Sequence, residues 1–198
     1  IMYDPNVINV LCIGADTRNQ NTISGLTDSM IIVSINQKLG TITLTSVMRD
    51  SFAYLESPDG EGSFNKINSA FPFYGVDSLI NTIESHFKIR IDGYAMINFA
   101  FFKAVIDELG GVTVPVQQYE ANYINKNYGF DISAGSAVTL KGDEALAFCR
   151  SRNCDSDGDV SRTRRQRQFI SSLIDETKNV SIDQIKPLFE KLTEHLKT

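Results

Sequence analysis

Apolar residues fall along this chain in two alternating rhythms, and the rhythms set out its elements. Val7 to Ile13 and Met30 to Ile35 are short runs rich in valine and isoleucine between polar turn residues, the signature of buried strands. Asn36 to Gly40 predicts a turn. Thr41 to Val47 then alternates Ile42, Leu44 and Val47 with threonines, which predicts an antiparallel hairpin with the strand before it. From Val76 the period changes: Val76, Leu79, Ile80, Ile83 and Phe87 recur at helical spacing. Asp92 to Asn98 predicts a strand. Phe99, Phe102, Val105, Ile106 and Leu109 predict a helix stopped by Gly110 and Gly111. Val112 to Val116 returns to strand, whereas Gln117 to Val138 is polar and tyrosine-rich and reads as a long surface excursion. Asp143 to Phe148 predicts a short helix. Ser161 is placed to cap a longer helix with Phe169, Ile170, Leu173 and Ile174 on one face, and Ser181 a last helix over 181–198 that bends near Pro187.

Strands alternating with helices, plus one hairpin, predict an α/β fold: a three-layer α/β/α sandwich around a mixed central sheet. The 198 residues, 42% of them hydrophobic, suit a single domain, with its core over about 7–178. There is no internal repeat.

Charge narrows the function classes. The formal net charge is −5, which argues against general nucleic-acid affinity because counterion release needs a broad basic surface. Within this acidic chain, 150–168 holds six arginines and three aspartates. Arginine forks grip phosphate oxygens bidentately, and nearby carboxylates can hold a divalent cation that bridges the same phosphates, so the pairing suits a pyrophosphate-bearing ligand. Asp16 with Arg18, Asp28, and Arg49 with Asp50 repeat it, each next to an apolar run. Ligands of open α/β sheets sit beyond strand carboxyl ends, where Asp16, Arg18, Arg49 and Asp50 fall. One such pair alone is more often a surface salt bridge or turn cap; their recurrence favours a shared crevice. In the helix near Ser161, Arg162, Arg165 and Gln166 project on one face with Asp159 just before it. That is a phosphate clamp with a metal ligand or general base at its edge. Arg164 and Arg167 lie on other faces.

Competing motifs are weak. Asp155, Asp157 and Asp159 alternate as in a calcium loop, but the glycine falls at the fourth position rather than the sixth. There is no Walker A sequence, Gly-x-Ser-x-Gly elbow, His-Glu-x-x-His or Cys-x-x-Cys. With only His86 and His195 a histidine triad is disfavoured. Of three cysteines, Cys149 and Cys154 are close enough for a small-loop disulfide in an oxidising setting, against two unpaired thiols. The helical Phe and Ile positions read as core, or as the walls of an apolar slot for a lipid tail beside the charged crevice. No window approaches eighteen consecutive apolar residues. The abrupt start, close to the first strand, raises the expectation of an upstream membrane anchor.

Seven landmarks occur in order: Ile-Gly-Ala-Asp-Thr-Arg at 13–18, Thr-Asp-Ser-Met at 27–30, Ser-Val-Met-Arg-Asp-Ser at 46–51, Lys-Ile-Asn at 66–68, Ile-Asn-Phe at 97–99, Leu-Gly-Gly-Val at 109–112, and Arg-Ser-Arg at 150–152 followed by Asp159, Arg162, Arg165 and Gln166. Together they resemble the LytR-CpsA-Psr family of enzymes that attach glycopolymers to the bacterial cell wall. The resemblance spans roughly 9–174. It implies an α/β/α catalytic domain at the outer face of the cell membrane. Such a domain moves a phosphoglycan, of teichoic acid or capsular polysaccharide type, from a polyprenyl-pyrophosphate carrier to peptidoglycan. By the same resemblance Asp16 and Asp28 hold magnesium, with manganese as the alternative. Arg18, Arg49, Lys66, Arg150, Arg152, Arg162, Arg165 and Gln166 contact pyrophosphate. Arg49, Arg162 and Asp159 form the catalytic group, Asp159 taking the acceptor proton or assisting the metal. Two positions depart from the family pattern, Leu26 where arginine is frequent and Met48 where proline is. Phosphoryl transfer needs positioning and charge neutralisation rather than a protein nucleophile, which agrees with a site rich in arginine and poor in histidine. Two other readings stay open: a hydrolase of the same lipid pyrophosphate, and a non-catalytic polyprenyl-phosphate-binding or regulatory module.

Overall fold

A computed structural model describes residues 1, 3–15 and 27–177. Asp16, Arg18 and the expected last helix over 181–198 lie outside the described residues. The described chain is α/β, with eight strands and six α-helices. Its contacts divide it into two compact units, one through Phe99 and one from Ala100 onward.

The first unit is built on a four-stranded mixed sheet of order β3-β2-β1-β6. Its strands are β1 (Val7–Ala15), β2 (Thr27–Asn36), β3 (Thr41–Ser46) and β6 (Gly93–Ile97). β1 runs antiparallel to β2, Val10 opposite Val33, and parallel to β6, Cys12 opposite Ala95. The expected hairpin is present: β2 pairs antiparallel with β3 in a register that sets Ile35 opposite Ile42. Ile42 nevertheless stays 43% exposed, because β3 is the edge strand and its threonine-rich faces meet water. A second hairpin, β4 (Phe52–Leu55) with β5 (Ser63–Lys66), follows. A 3₁₀ turn at Ile67–Ser69, α1 (Ala70–Tyr74) and α2 (Val76–Phe87) come next. The helical stripe predicted from Val76 is the packed face of α2, with Leu79 and Ile83 fully buried. They join Leu11, Ile13, Met30, Ile32, Leu55, Ile67 and Met96 in one core, where each such side chain contributes about 1.5–3 kcal/mol.

The second unit holds α3 (Phe99–Glu108) from its second residue onward, β7 (Val112–Val116), α4 (Gln118–Tyr128), β8 (Gly135–Leu140), α5 (Gly142–Arg150) and α6 (Asp159–Thr177). β7 and β8 pair antiparallel, Val112 opposite Leu140. Gln117–Val138 is therefore not a surface excursion but α4 and most of β8. Helix α4 buries Ala121 and Ile124 on a core with Val112, Val114, Phe148 and Phe169. Phe102 of α3 packs on Phe169 of α6 at 5.5 Å between ring centroids. Gly142 lets α5 start against α3, since a Cβ there would stand 2.6 Å from the Lys103 carbonyl oxygen. Ile83, Ile106, Phe148 and Phe169, candidates for core or slot, are at most 1% exposed and occupy these cores.

Candidate active site

In the first unit, backbone hydrogen bonds stitch the segment after β3 into place. Val47 N donates to Met30 O at 2.9 Å, Ile67 N to Ser51 O at 2.8 Å, and Asn68 N to Arg49 O at 3.3 Å. Thr27, at the start of β2 and wholly buried, donates its Oγ1 to Asn68 O at 3.3 Å. This weave brings Asp28, the adjacent Arg49 and Asp50, and Lys66 together from three places in the sequence. Arg49 Nη1 donates to Asp28 Oδ1 at 2.6 Å, Arg49 Nε lies 3.3 Å from Asp50 Oδ2, and Lys66 Nζ donates to Asp50 Oδ1 at 2.6 Å. The result is a run of alternating charge. The Lys66 hydrogen bond holds the Asp50 carboxyl below its usual value against the opposing cost of burial, with the Arg49 charge as a lesser aid. Asp28 and Arg49 are a fifth to a quarter exposed, so a ligand can reach them. Asn68 Oδ1 is buried with no hydrogen-bond partner among the described residues, an oxygen whose desolvation is not yet compensated.

In the second unit the arginine segment divides into two jobs. Asp159 opens α6, and Arg162, one turn on, sets Nη2 at 2.8 Å from Asp159 Oδ1 and 3.0 Å from Oδ2. Arg152, just beyond α5, brings Nε to 3.8 Å from Asp159 Oδ1. Arg150, the last residue of α5, is exposed. Gln166 donates Nε2 to Cys149 O at 3.2 Å. Asp159, Arg152, Arg162 and Gln166 thus come from the segments the sequence singles out.

Arg165 requires a correction. It is 1% exposed, its Nη1 lies 3.2 Å from Glu120 Oε1, and its Nη2 donates to the carbonyl of Ser151. Its two Nη groups are taken by α4 and by the end of α5, while Nε is buried without a hydrogen bond among the described residues, which gives Arg165 a bracing role in the fold. Ser161 also differs from expectation. It lies inside α6, wholly buried, and donates its Oγ to Asp155 Oδ1 at 2.7 Å rather than capping the helix. That hydrogen bond is the main cause that lowers the Asp155 carboxyl. Glu120 is a buried polar residue that the sequence did not flag, whereas Asn68 and Ser151 fall inside the Lys-Ile-Asn and Arg-Ser-Arg landmarks without a role of their own. The signal for Glu120 is its place three residues after Gln117, whose N–H donates to its Oε2 at 2.9 Å.

Cys149 and Cys154 are unpaired thiols. Burial pushes Cys149 up to about 12 and also raises Cys154, so both stay protonated at neutral pH and neither is a thiolate nucleophile. Among the described residues no three of His, Cys, Asp or Glu group to hold a metal. The donor beside Arg49 is a hard oxygen, the Asp28 carboxylate, and Asn68, whose N–H donates to Arg49 O, carries a buried Oδ1 with no hydrogen bond among the described residues. Magnesium takes one or two protein oxygens and completes its shell with water and phosphate, so this donor set fits it.

The sequence profile described as the LytR_cpsA_psr family matches residues 3–198. The chain belongs to the LytR_cpsA_psr family. It is 34% identical over 197 residues to the polyisoprenyl-teichoic acid–peptidoglycan teichoic acid transferase TagU of Bacillus licheniformis, covering 99% of this chain and 60% of that protein. Among solved structures it is similar to TagT bound to LIIa-WTA, with a TM-score of 0.78, 30% identity, and coverage of 100% of this chain and 71% of that one. TagV of B. subtilis gives the same TM-score and identity over 98% and 74%. The chain spans about 60% or less of the length of the curated relatives it matches. Among the described residues no helix is long and apolar enough to cross a membrane.

Proposed function

We propose that this family member is a glycopolymer transferase at the bacterial cell surface, moving a phosphoglycan of teichoic acid or capsular type from a polyprenyl-pyrophosphate lipid to peptidoglycan. The observation that carries the reading is the pair of arginine–carboxylate clusters, Asp28–Arg49–Asp50–Lys66 and Arg152–Asp159–Arg162, in a chain whose relatives bear that transferase name. An acceptor sugar hydroxyl attacks the phosphorus bonded to the glycan. The bond from that phosphorus to the bridging oxygen breaks, polyprenyl phosphate leaves, and the hydroxyl proton passes to Asp159. Arg49, Lys66, Arg150, Arg152 and Arg162 neutralise phosphate oxygens, as phosphoryl transfer demands. Gln166 orients the same group. Magnesium, when bound, would be held by Asp28, with Asp16 as the second expected carboxylate, and would supply charge neutralisation at the pyrophosphate. Asp16 and Arg18 keep their expected roles from the family motif alone.

The test is mass spectrometry of products from a synthetic polyprenyl-pyrophosphoryl sugar and a soluble peptidoglycan acceptor. A phosphodiester-linked product that depends on magnesium and disappears with Arg162→Ala is expected. Polyprenyl phosphate without a modified acceptor would make the protein a hydrolase. Unchanged lipid that remains bound would make it a binding module.

A further inference from the structure

The β4–β5 hairpin carries its large side chains on the wrong face for a core. Ala53 and Leu55 point inward and are at most 2% exposed, while Phe52 and Phe64 are 67% and Tyr54 40% exposed. Register explains the grouping: Phe52 stands opposite Lys66 and Tyr54 opposite Phe64, so these four side chains share one outward face. Phe52 and Phe64 lie nearly parallel, 17° apart with centroids at 5.9 Å, and Tyr54 meets Phe64 edge-on at 5.3 Å. Gly62 fixes the arrangement, because any Cβ there would fall 2.1 Å from Leu55 O and 2.8 Å from the Tyr54 ring. Three aromatic rings held in water on one face of a hairpin are an exposed apolar patch of the kind that marks an interaction site.

Size and charge select the occupant. At about 200 Å² per aromatic side chain, the exposed part of the three comes to about 350 Å², short of the roughly 800 Å² that a stable protein partner covers. It matches one or two sugar rings, whose C–H faces meet the negative face of an aromatic ring. Residues 49–66 hold Arg49 and Lys66 against Asp50, Glu56, Asp59 and Glu61, a net −2. On the outward face itself the one charge is the Lys66 ammonium, already paired with Asp50 at 2.6 Å. The ring platform therefore offers a polyanionic phosphoglycan or an anionic bilayer little attraction and suits a neutral glycan. The polar groups a sugar needs are at hand in the Tyr54 hydroxyl and in the Lys66 ammonium, which donates one of its three hydrogens to Asp50.

We propose that the outward face of β4–β5 is the acceptor subsite: it stacks a neutral N-acetylhexosamine strand of the glycan that receives the polymer. The assignment rests on the transferase reading above. The face begins at Lys66, the last member of the Asp28–Arg49–Asp50–Lys66 run, so a strand stacked on it runs up to the residues that grip phosphate.

The test separates this inference from the function. The whole protein is titrated with a tetramer of β-1,4-linked N-acetylglucosamine by NMR, reading the Phe52 and Phe64 ring signals, and affinity is then measured for variants. Shifts at those rings are expected, with about tenfold weaker binding in Phe52→Ala and Phe64→Ala and near-native binding in Phe52→Tyr and Phe64→Tyr. In the transfer assay the alanine variants should raise the acceptor KM about tenfold and hold kcat at saturating acceptor. Binding without ring shifts or loss in the variants would overturn the subsite and leave the transferase reading standing. Ring-dependent glycan binding without any transfer would do the reverse. Ring-dependent binding of a phosphoglycan or of phosphatidylglycerol vesicles, with the neutral tetramer ignored, would overturn it and give the face to that partner.

Discussion

Glu120 ties two parts of the second unit together with one carboxylate: Oε2 accepts the Gln117 N–H that starts α4, and Oε1 takes Arg165 Nη1 at 3.2 Å from α6. Both residues are almost fully buried. Removing one partner strands the other's charge out of water, which costs about 3–5 kcal/mol. Arg165→Ala should therefore lower stability by about that much in urea unfolding. Arg165→Met combined with Glu120→Gln should recover part of the loss, since Gln still accepts the Gln117 N–H. An Arg165→Ala protein as stable as the parent would show that the guanidinium is not a brace.

Asp28 should behave in the opposite way. Its pair with Arg49 is partly exposed, so its loss costs about 1 kcal/mol or less, while any metal or phosphate chemistry at the site loses a carboxylate. Asp28→Asn should leave the unfolding curve nearly unchanged, cut transfer by a factor on the order of 10², and raise the magnesium concentration needed for half-maximal rate. Chelation of the parent should abolish transfer, and added magnesium should restore it. Full activity in Asp28→Asn would remove this residue from the site.

The two predictions diverge because sequence shows charge but not burial. Arg162 and Arg165 fall on one helix stripe and both are buried; their partners separate them, Asp159 on the same helix for one and Glu120, 45 residues away, for the other, and spacing shows neither. The strands around Val10 and Ile32 and the helix from Val76 were legible, since their apolar period is set by a core on one or both sides. Helix α4 was not, because it buries only Ala121 and Ile124 of its apolar positions and leaves Tyr119 and Tyr128 in water. The β4–β5 hairpin was hidden for a related reason. Its strands are four residues long, and its aromatic residues face outward. Asp28, Arg49 and Lys66 could be named as candidates from their motifs, but the weave that assembles them is made of backbone hydrogen bonds through Asn68 and Ser51 and of the Thr27 hydroxyl on Asn68 O, which motifs do not show.

Acid should expose the role of Ser161. Its hydroxyl bond holds the folded-state Asp155 carboxyl below 3.8. A lowered folded value contributes stability that is present above the unfolded value and lost as pH falls through the folded one. Ser161→Ala removes the main cause of the lowering. The stability gap between parent and variant should hold constant from neutral pH to about pH 5 and narrow steadily below about pH 4. A gap of constant size across that range, measured by urea unfolding at each pH, would mean that the cost of the substitution is packing alone.

Arg162→Lys discriminates a catalytic arginine from a supporting one. Lysine keeps the positive charge but replaces a planar fork with a point charge, so it cannot face a carboxylate and a phosphate in fixed directions at once. If Arg162 grips phosphate while it holds Asp159, the lysine variant should fold, keep donor binding within a few fold, and lose kcat by a factor on the order of 10². The charge is equal in the two proteins, so the loss would belong to geometry. If Arg162 served only to anchor the start of α6 through Asp159, the same substitution should instead lower stability by about 1–3 kcal/mol, with the folded fraction turning over at the parent rate. Single-turnover rates, corrected for folded fraction, separate these outcomes, because the first changes the rate constant and the second changes only the amplitude.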